Sequence, residues 1–119
     1  MIHDETTYAP LTLYEDDHEP GNYGLTMTDD AWDDAHDVFE ECDADGNGYG
    51  WEGVARQAIR AHCPDATDRI EFDSEASMFA AYSADLDALR RLGAVLQQAV
   101  RDHRLLAELI RGAEPEWLD

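Results

Sequence analysis

The chain contains no lysine, and its first basic residue is Arg56. Chemistry that depends on lysine is therefore excluded, including Schiff-base catalysis and phosphate binding by a P-loop. The long apolar run of a membrane helix is also missing, because uninterrupted apolar stretches reach only about five residues, as in 78–82. The first residues lack the basic start and apolar stretch of a signal peptide. Together these absences predict a soluble, cytoplasmic protein.

Cysteine is scarce, and its spacing suits no metal site. Cys42 and Cys63 are the two cysteines, and neither belongs to a CxxC pair. His62 and Cys63 are neighbours, so on a helix their side chains point in different directions and make a poor metal pair. The histidines are scattered, and no serine sits in a GxSxG elbow. We therefore expect reduced, packed thiols, no metal, no cofactor and no enzymatic activity.

Positive charge is the other shortage. The chain has 119 residues, with 28 acidic residues against 8 arginines, and a formal net charge of -20. Sixteen of the acids precede Arg56, so the first part of the chain carries no cation at all. This asymmetry disfavours nucleic acids and anionic membranes as partners and favours a basic protein or cations. A solvating coat of carboxylates, as in halophilic proteins, is an alternative that composition leaves open.

The length and the apolar content describe one folded unit. An apolar fraction of 44% argues against disorder despite the charge. A chain of this size has room for one core of ordinary size and not for two. We predict a single domain over residues 1–119, with loosely ordered tails at 1–8 and 113–119.

The hydrophobic pattern alternates between strands and helices. Period-two alternation predicts a β-hairpin from 11–15 and 23–28. A second strand pair is predicted from 69–73 and 78–82, joined by residues 74–77. Helical spacing predicts four helices, at about 30–42, 51–62, 85–100 and from Asp102 to Gly112. The order ββαα-ββαα predicts an α+β fold, with an antiparallel sheet of about four strands and helices packed on one face.

The first predicted helix has two contrasting faces. Thr28 or Asp29 is expected to cap it. Its apolar positions follow helical spacing, and they include a histidine that we expect to be buried and hydrogen-bonded: Trp32, Ala35, His36 and Phe39. The opposite face is strongly anionic: Asp33, Asp34, Asp37, Glu40 and Glu41.

The loop after this helix partly matches an EF-hand. Asp43, Asp45 and Asn47 occupy positions 1, 3 and 5, and Gly48 occupies the turn at position 6. Position 12, where a bidentate glutamate closes the calcium shell, is Val54. The preferred interpretation is a glycine-rich connection between two helices. A calcium-responsive or other regulatory module using residues 43–54 is the alternative function.

Two stretches resemble a known family. Residues 48–56 read GYGWEGVAR, and residues 72–82 read FDSEASMFAAY. They are similar to the G-Y-x-W-E-G and F-D-S-E-A-x-M-F stretches of the immunity protein 51 family, the bacterial immunity proteins of polymorphic toxin systems. The resemblance implies a small α+β protein that neutralises a toxin produced by the same or a sibling cell. It implies no catalytic residues and does not identify the toxin.

The resemblance and the charge together lead to a hypothesis about the interface. Many such toxins act on nucleic acids, so their active surfaces are basic, and an acidic surface would complement them. We expect an acidic interface facing the cognate toxin, with Trp32, Tyr49 or Trp51 as anchor. The interface candidates are Asp33, Asp34, Asp37, Glu40, Glu41, Asp43, Asp45, Tyr49, Trp51, Glu52, Asp73 and Glu75.

Overall fold

The computed structural model describes residues 2–44 and 46–118 as an α+β fold, the class predicted from the sequence. Its strands are β1 (His3–Asp4), β2 (Thr12–Glu15), β3 (Tyr23–Thr28), β4 (Glu71–Phe72) and β5 (Met78–Ser83). Its α-helices are α1 (His36–Glu41), α2 (Gly48–His62), α3 (Leu86–Arg101) and α4 (His103–Gly112). Short 3₁₀ turns lie at Asp29–Ala31, Asp33–Ala35, Pro64–Ala66 and Pro115–Trp117.

The strands form one antiparallel sheet in the order β1-β2-β3-β5-β4. Leu13 pairs with Leu25, Leu25 with Ala81, and Ala81 with Phe72, so these residues form one row across the sheet. Because side chains alternate between faces, the row points toward the helices, and Leu13, Leu25 and Ala81 in it are buried. Both predicted strand pairs are confirmed. The sheet has five strands where about four were predicted, because β1 adds an edge strand within residues 1–8.

The helices pack on the sheet and on one another. Contacts to the sheet come from α2 and α3, while α4 lies against α1, α2 and α3. Asp85 and Asp102 begin α3 and α4, since their side chains accept hydrogen bonds from the backbone N–H groups of Ala88 and Arg104. The predicted helices at 85–100 and after Asp102 are confirmed. Within residues 2–44 and 46–118, no helix is both long and apolar enough to cross a membrane.

Helix α2 begins three residues earlier than predicted. The side-chain oxygen of Asn47 accepts a hydrogen bond from the Gly50 N–H at 2.9 Å and caps the helix. The Gly48 N–H donates to the Ala76 carbonyl at 2.9 Å. A Cβ atom at Gly48 would collide with the Glu75 carbonyl oxygen, so glycine permits this close approach. The turn at 74–77 is therefore held against the start of α2.

The predicted helix over 30–42 is wrong in its first half. Two 3₁₀ turns occupy this region, and α1 is only six residues long. Aspartate is a poor helix former that competes for local hydrogen bonds, and the Thr28 hydroxyl donates to the Asp30 carboxylate at 2.6 Å. Thr28 consequently provides no side-chain cap. Trp32, with φ -114° and ψ 13°, separates the two turns.

The predicted burial of His36 is also wrong. Its side chain is 54% exposed, and its Nε2 atom lies 3.1 Å from the Glu40 carboxylate, one turn along α1. The break at Trp32 changes the helical phase, so Val38 and Phe39 supply the buried positions of α1 instead. The predicted apolar stripe is thus retained at Trp32, Ala35 and Phe39 and lost at His36.

Tyr14 lies on the sheet face opposite the helices, where its ring covers Gly24. Burial, with a hydrogen bond to Tyr82 as the next cause, raises the pKa of the Tyr14 phenol to about 12 from its ordinary value of about 10. The folded state therefore holds this proton more tightly than the unfolded state. The corresponding stability is complete below about pH 10 and is lost as the pH rises through about 12.

We expect the Tyr14 phenol to ionise at a pH about two units higher than an ordinary tyrosine does. An absorbance titration of tyrosinate should show this late step, and the Tyr14→Phe variant should lose it. The same substitution should reduce the loss of stability between pH 10 and 12, measured by urea unfolding. Titration of all tyrosines near pH 10 in the folded protein would contradict the assignment.

Candidate functional site

The predicted interface residues divide by exposure. Tyr49 is the one exposed large hydrophobic residue among those described, with 42% of its surface accessible. Glu52 is half-buried and lies 3.6 Å from the Arg56 guanidinium. The exposed acidic candidates are Asp33, Asp37, Glu40, Glu41, Asp43, Asp73 and Glu75. Asp45 and the side chain of Asp34 lie outside what the structure describes.

The structure places four of these acids along α1 and its C-terminal end. We call Asp37, Glu40, Glu41 and Asp43 the helix patch. Asp37 and Glu41 line a groove of about 580 Å³ between α1 and α4. Glu40 and Asp43 line an adjoining groove of about 510 Å³ that reaches the C-terminal segment. Two arginines of α4 stand on the opposite side of these grooves, Arg104 and Arg111.

The carboxylates of the helix patch are available to a partner. Among the described residues, no ion pair within 4.0 Å joins them to Arg104 or Arg111. Their one contact of this kind in the described part of the chain is the 3.1 Å approach of the His36 Nε2 atom to the Glu40 carboxylate. Because no arginine close by cancels their negative charge, these exposed carboxylates produce a negative electrostatic potential that can attract and orient a basic partner.

A second acidic group surrounds the turn at 74–77. We call Asp29, Asp30, Tyr49, Asp73 and Glu75 the turn patch. The Asp29 N–H donates to the Ser77 carbonyl at 3.0 Å, and α2 approaches the same turn through Gly48. The hydrogen bond from the Thr28 hydroxyl holds the pKa of Asp30 below its usual range, so this carboxyl stays ionised into acidic solution. Asp33 lies in the 3₁₀ turn between the two patches.

Tryptophan plays a structural part behind these patches. Trp51 is fully buried and Trp32 is 4% exposed. The expectation that either ring anchors the interface is therefore wrong for the free protein, and both rings belong to the core. The Trp51 ring lies 6.2 Å from the Trp32 ring and 5.4 Å from the Phe39 ring, between centroids. This aromatic cluster joins α2 to the segment carrying the acids and holds the backbone of both patches in place. Tyr49 is the aromatic candidate that reaches the surface.

The connection from α1 to α2 is explained by helix-terminal hydrogen bonds. Asp43 has φ 62°, the left-handed conformation that ends many helices. The Asp43 N–H donates to the Glu40 carbonyl and the Ala44 N–H to the Phe39 carbonyl, which is the Schellman pattern. The amide oxygen of Asn47, position 5 of the EF-hand comparison, caps α2, and Val54 at position 12 is fully buried. Three positions of the comparison, Asp43, Asn47 and Val54, are thus used in helix ends and core.

Replacing Asn47 with alanine should lower the free energy of unfolding by about 1 kcal/mol, because the first turn of α2 loses its cap. Asn47→Asp keeps a capping oxygen and should stay within a few tenths of the wild-type value. Urea unfolding checks both variants. Added calcium should leave the wild-type transition unchanged, and a stabilisation by calcium that Asn47→Ala removes would support the regulatory alternative.

Sequence reasoning missed an acidic cleft at one end of the sheet. The cleft has a volume of about 660 Å³. It is formed where the β2–β3 turn lies beside the start of β4 and the end of β5. Asp73 is the predicted candidate that borders it. Four further carboxylates line the cleft: Asp16, Glu19, Asp68 and Glu71. The signal that would have identified them is the pairing of β3 with β5, which brings the two predicted strand pairs into one sheet.

Comparison with known proteins adds one match. The family model described as Immunity protein 51 matches residues 11–115, which is most of the chain. No curated protein and no solved structure matches. The matched range includes both acidic patches, since residues 29–75 lie wholly inside it.

Proposed function

The chain belongs to the immunity protein 51 family, and from that membership we propose that it neutralises a cognate bacterial toxin by direct, stoichiometric binding. The helix patch and the turn patch form the binding surface in this proposal, and the toxin presents a basic surface to them. The toxin and its activity are not specified by the chain. Neutralisation follows from occupying the toxin surface, so the immunity protein needs no catalytic group.

The observation that carries the proposal is the concentration of exposed carboxylates beside an exposed tyrosine, with no arginine paired to any of them in the part of the chain that the structure describes. The exposed acids occupy a continuous chain segment from Asp29 to Asp43 and the turn at 74–77 packed against it. Interfaces combine aromatic anchors with charges that orient the partner, and Tyr49 supplies the aromatic member. Electrostatic steering raises association rates to about 10⁸–10⁹ M⁻¹s⁻¹, which suits a protein that must capture a toxin before it acts.

The backbone beneath this surface is rigidly supported. Trp32, Phe39 and Trp51 are buried under it, and the 74–77 turn is hydrogen-bonded to both Asp29 and Gly48. A surface held in its binding conformation loses little conformational entropy on association. The backbone that carries the carboxylates is therefore held in one arrangement before a partner binds.

Co-expression with the toxin domain encoded by the neighbouring gene tests the proposed function. We expect the wild-type chain to restore growth and to co-elute with the toxin domain as an equimolar complex. The control is an unrelated protein of similar size and negative charge, which should not protect. Protection without a physical complex would contradict neutralisation by binding, and equal protection by the control would contradict a specific partner.

A further inference from the structure

Two arginines of α2 flank a small cavity on the side of the helix that faces β4 and the C-terminal segment. Arg56 and Arg60 are one helical turn apart, and both are partly exposed. The cavity between them measures about 230 Å³. Apolar and aromatic side chains form most of its remaining wall: Ile59, Thr67, Ile70, Phe72 and Trp117. Each arginine also has a glutamate within 4.0 Å, Glu52 beside Arg56 and Glu114 beside Arg60.

Arg60 has a structural role, because its guanidinium contacts other parts of the chain. Its guanidinium donates to the Gln57 side chain at 2.8 Å, to the Glu114 carboxylate at 3.0 Å and to the Gly112 carbonyl. It also lies 4.7 Å from the centre of the Trp117 ring. These contacts fix the C-terminal segment against α2 and place Trp117 as one wall of the cavity.

The Arg56 side chain is held in place, but its guanidinium N–H groups are not used in hydrogen bonds to other described residues. Its guanidinium lies 4.8 Å from the centre of the Phe72 ring, a stacking contact that uses no N–H group. Glu52 lies 3.6 Å from the guanidinium, within ion-pair distance but beyond hydrogen-bonding distance. No hydrogen bond from the Arg56 side chain to another described residue is present. The fork of N–H groups is therefore oriented and available to a carboxylate.

We propose that this cavity binds a carboxylate carried on an apolar group, supplied by an acidic side chain and its apolar neighbour on the cognate toxin. Arg56 would pair with the carboxylate, while Ile59, Ile70 and Trp117 would cover the apolar part. The proposal rests on the proposed function, because it assigns the ligand to the toxin. It adds a second recognition element of opposite charge to the acidic patches.

The overall charge argues for a protein partner over a free anion. The field of a molecule with net charge -20 repels small anions at long range. A carboxylate on a basic toxin escapes this repulsion because the rest of the toxin is attracted. The cavity also adjoins the acidic surface: Glu52 is next to Arg56, and Phe72 borders both the cavity and the acidic cleft containing Asp73. One partner can therefore reach both.

The Arg56→Gln variant separates this inference from general electrostatics. Removing a cation makes the protein more acidic, so steering alone would leave the affinity for a basic toxin unchanged or raise it. If Arg56 binds a toxin carboxylate, the variant should instead weaken the complex by about tenfold or more, mainly through faster dissociation. Arg90→Gln is the matched control, since Arg90 is exposed and is not among the residues that line the cavity. It should not weaken binding.

A small-molecule titration tests the cavity without the toxin. We expect 3-phenylpropionate to shift the NMR signals of the Arg56 Nε–H and the Trp117 indole N–H, saturably and in the millimolar range. The neutral analogue 3-phenylpropanol and the Arg56→Gln variant should show much weaker binding. Equal binding of acid and alcohol, or no binding of the acid, would overturn the assignment of a carboxylate pocket.

The two experiments also distinguish failure of this inference from failure of the proposed function. Weakening by Arg56→Gln together with binding of 3-phenylpropionate supports the inference. An unchanged or stronger toxin complex for Arg56→Gln overturns the assignment to a toxin side chain, even if the small acid binds, and leaves direct toxin binding intact. Absence of any complex between the wild-type chain and the toxin overturns both the proposed function and this assignment.

Discussion

Reversing the charge of Asp33, Asp37 and Glu41 to lysine is expected to weaken the complex with the cognate toxin by about a hundredfold or more and to abolish protection. All three side chains are exposed, and they extend from the 3₁₀ turn into α1 along one acidic segment. Each reversal replaces an attraction with a repulsion. A combined loss of about 3 kcal/mol corresponds to roughly two orders of magnitude in the dissociation constant.

A reversal of equal size elsewhere provides the control. Glu5, Asp87 and Glu116 are exposed acids outside both patches, and converting them to lysine produces the same net charge. Surface plasmon resonance at two salt concentrations should show a large effect for the patch variant, diminished at high salt, and a small effect for the control. Equal effects from the two variants would show that net charge, and not this surface, governs binding.

Replacing Trp51 with alanine is expected to lower the free energy of unfolding by about 3–5 kcal/mol. The ring is fully buried and contacts the Trp32 and Phe39 rings, so alanine leaves a large cavity beneath both acidic patches. Small domains are stable by about 5–15 kcal/mol, so this loss would unfold a measurable fraction of the protein. Denaturant unfolding followed by circular dichroism measures it.

Two further variants locate the cause of that effect. Trp51→Phe retains an aromatic ring and should lose less stability, since the indole N–H has no hydrogen-bond partner among the described residues. Tyr49→Ala, two residues away and exposed, should change stability little while weakening toxin binding. A Trp51→Ala protein of wild-type stability with impaired binding would restore the role of Trp51 as an interface anchor.

Local sequence patterns predicted the regular elements well. The alternating residues of β2 and β3 and the apolar stripes of α3 and α4 identify their elements, because each pattern matches the period of its backbone. The start of α4 at Asp102 is equally local, since the Asp102 side chain accepts a hydrogen bond from the Arg104 N–H. These features involve residues a few positions apart, and their physical causes can be evaluated without knowing the tertiary structure.

The errors occurred where local signals conflict or tertiary contacts decide. Between Asp29 and His36, apolar spacing favours a helix while aspartate side chains favour turns, and two 3₁₀ turns result. Burial of Trp51 depends on its contacts with Trp32 and Phe39, which spacing along α2 does not reveal. The two-residue strand β1 is too short to show an alternating pattern.

The arrangement of the site followed from topology more than from composition. The acids of the first part of the chain were evident from the sequence, but their grouping into patches depends on the packing of the 74–77 turn against Asp29 and Gly48. The acidic cleft depends on the pairing of β3 with β5. The cavity beside Arg56 requires the C-terminal segment, which brings Trp117 to α2.

Hydrogen exchange of backbone amides, compared between the free protein and its complex with the cognate toxin domain, tests the central claim most directly. The proposal predicts slower exchange in the complex at residues 29–33, 36–44, 47–52 and 73–77, which carry the two acidic patches. Exchange in α3, which carries no residue of either patch, should be unchanged. Slowing confined to β1, β2 or α3, with the patches unaffected, would contradict binding through the acidic surface.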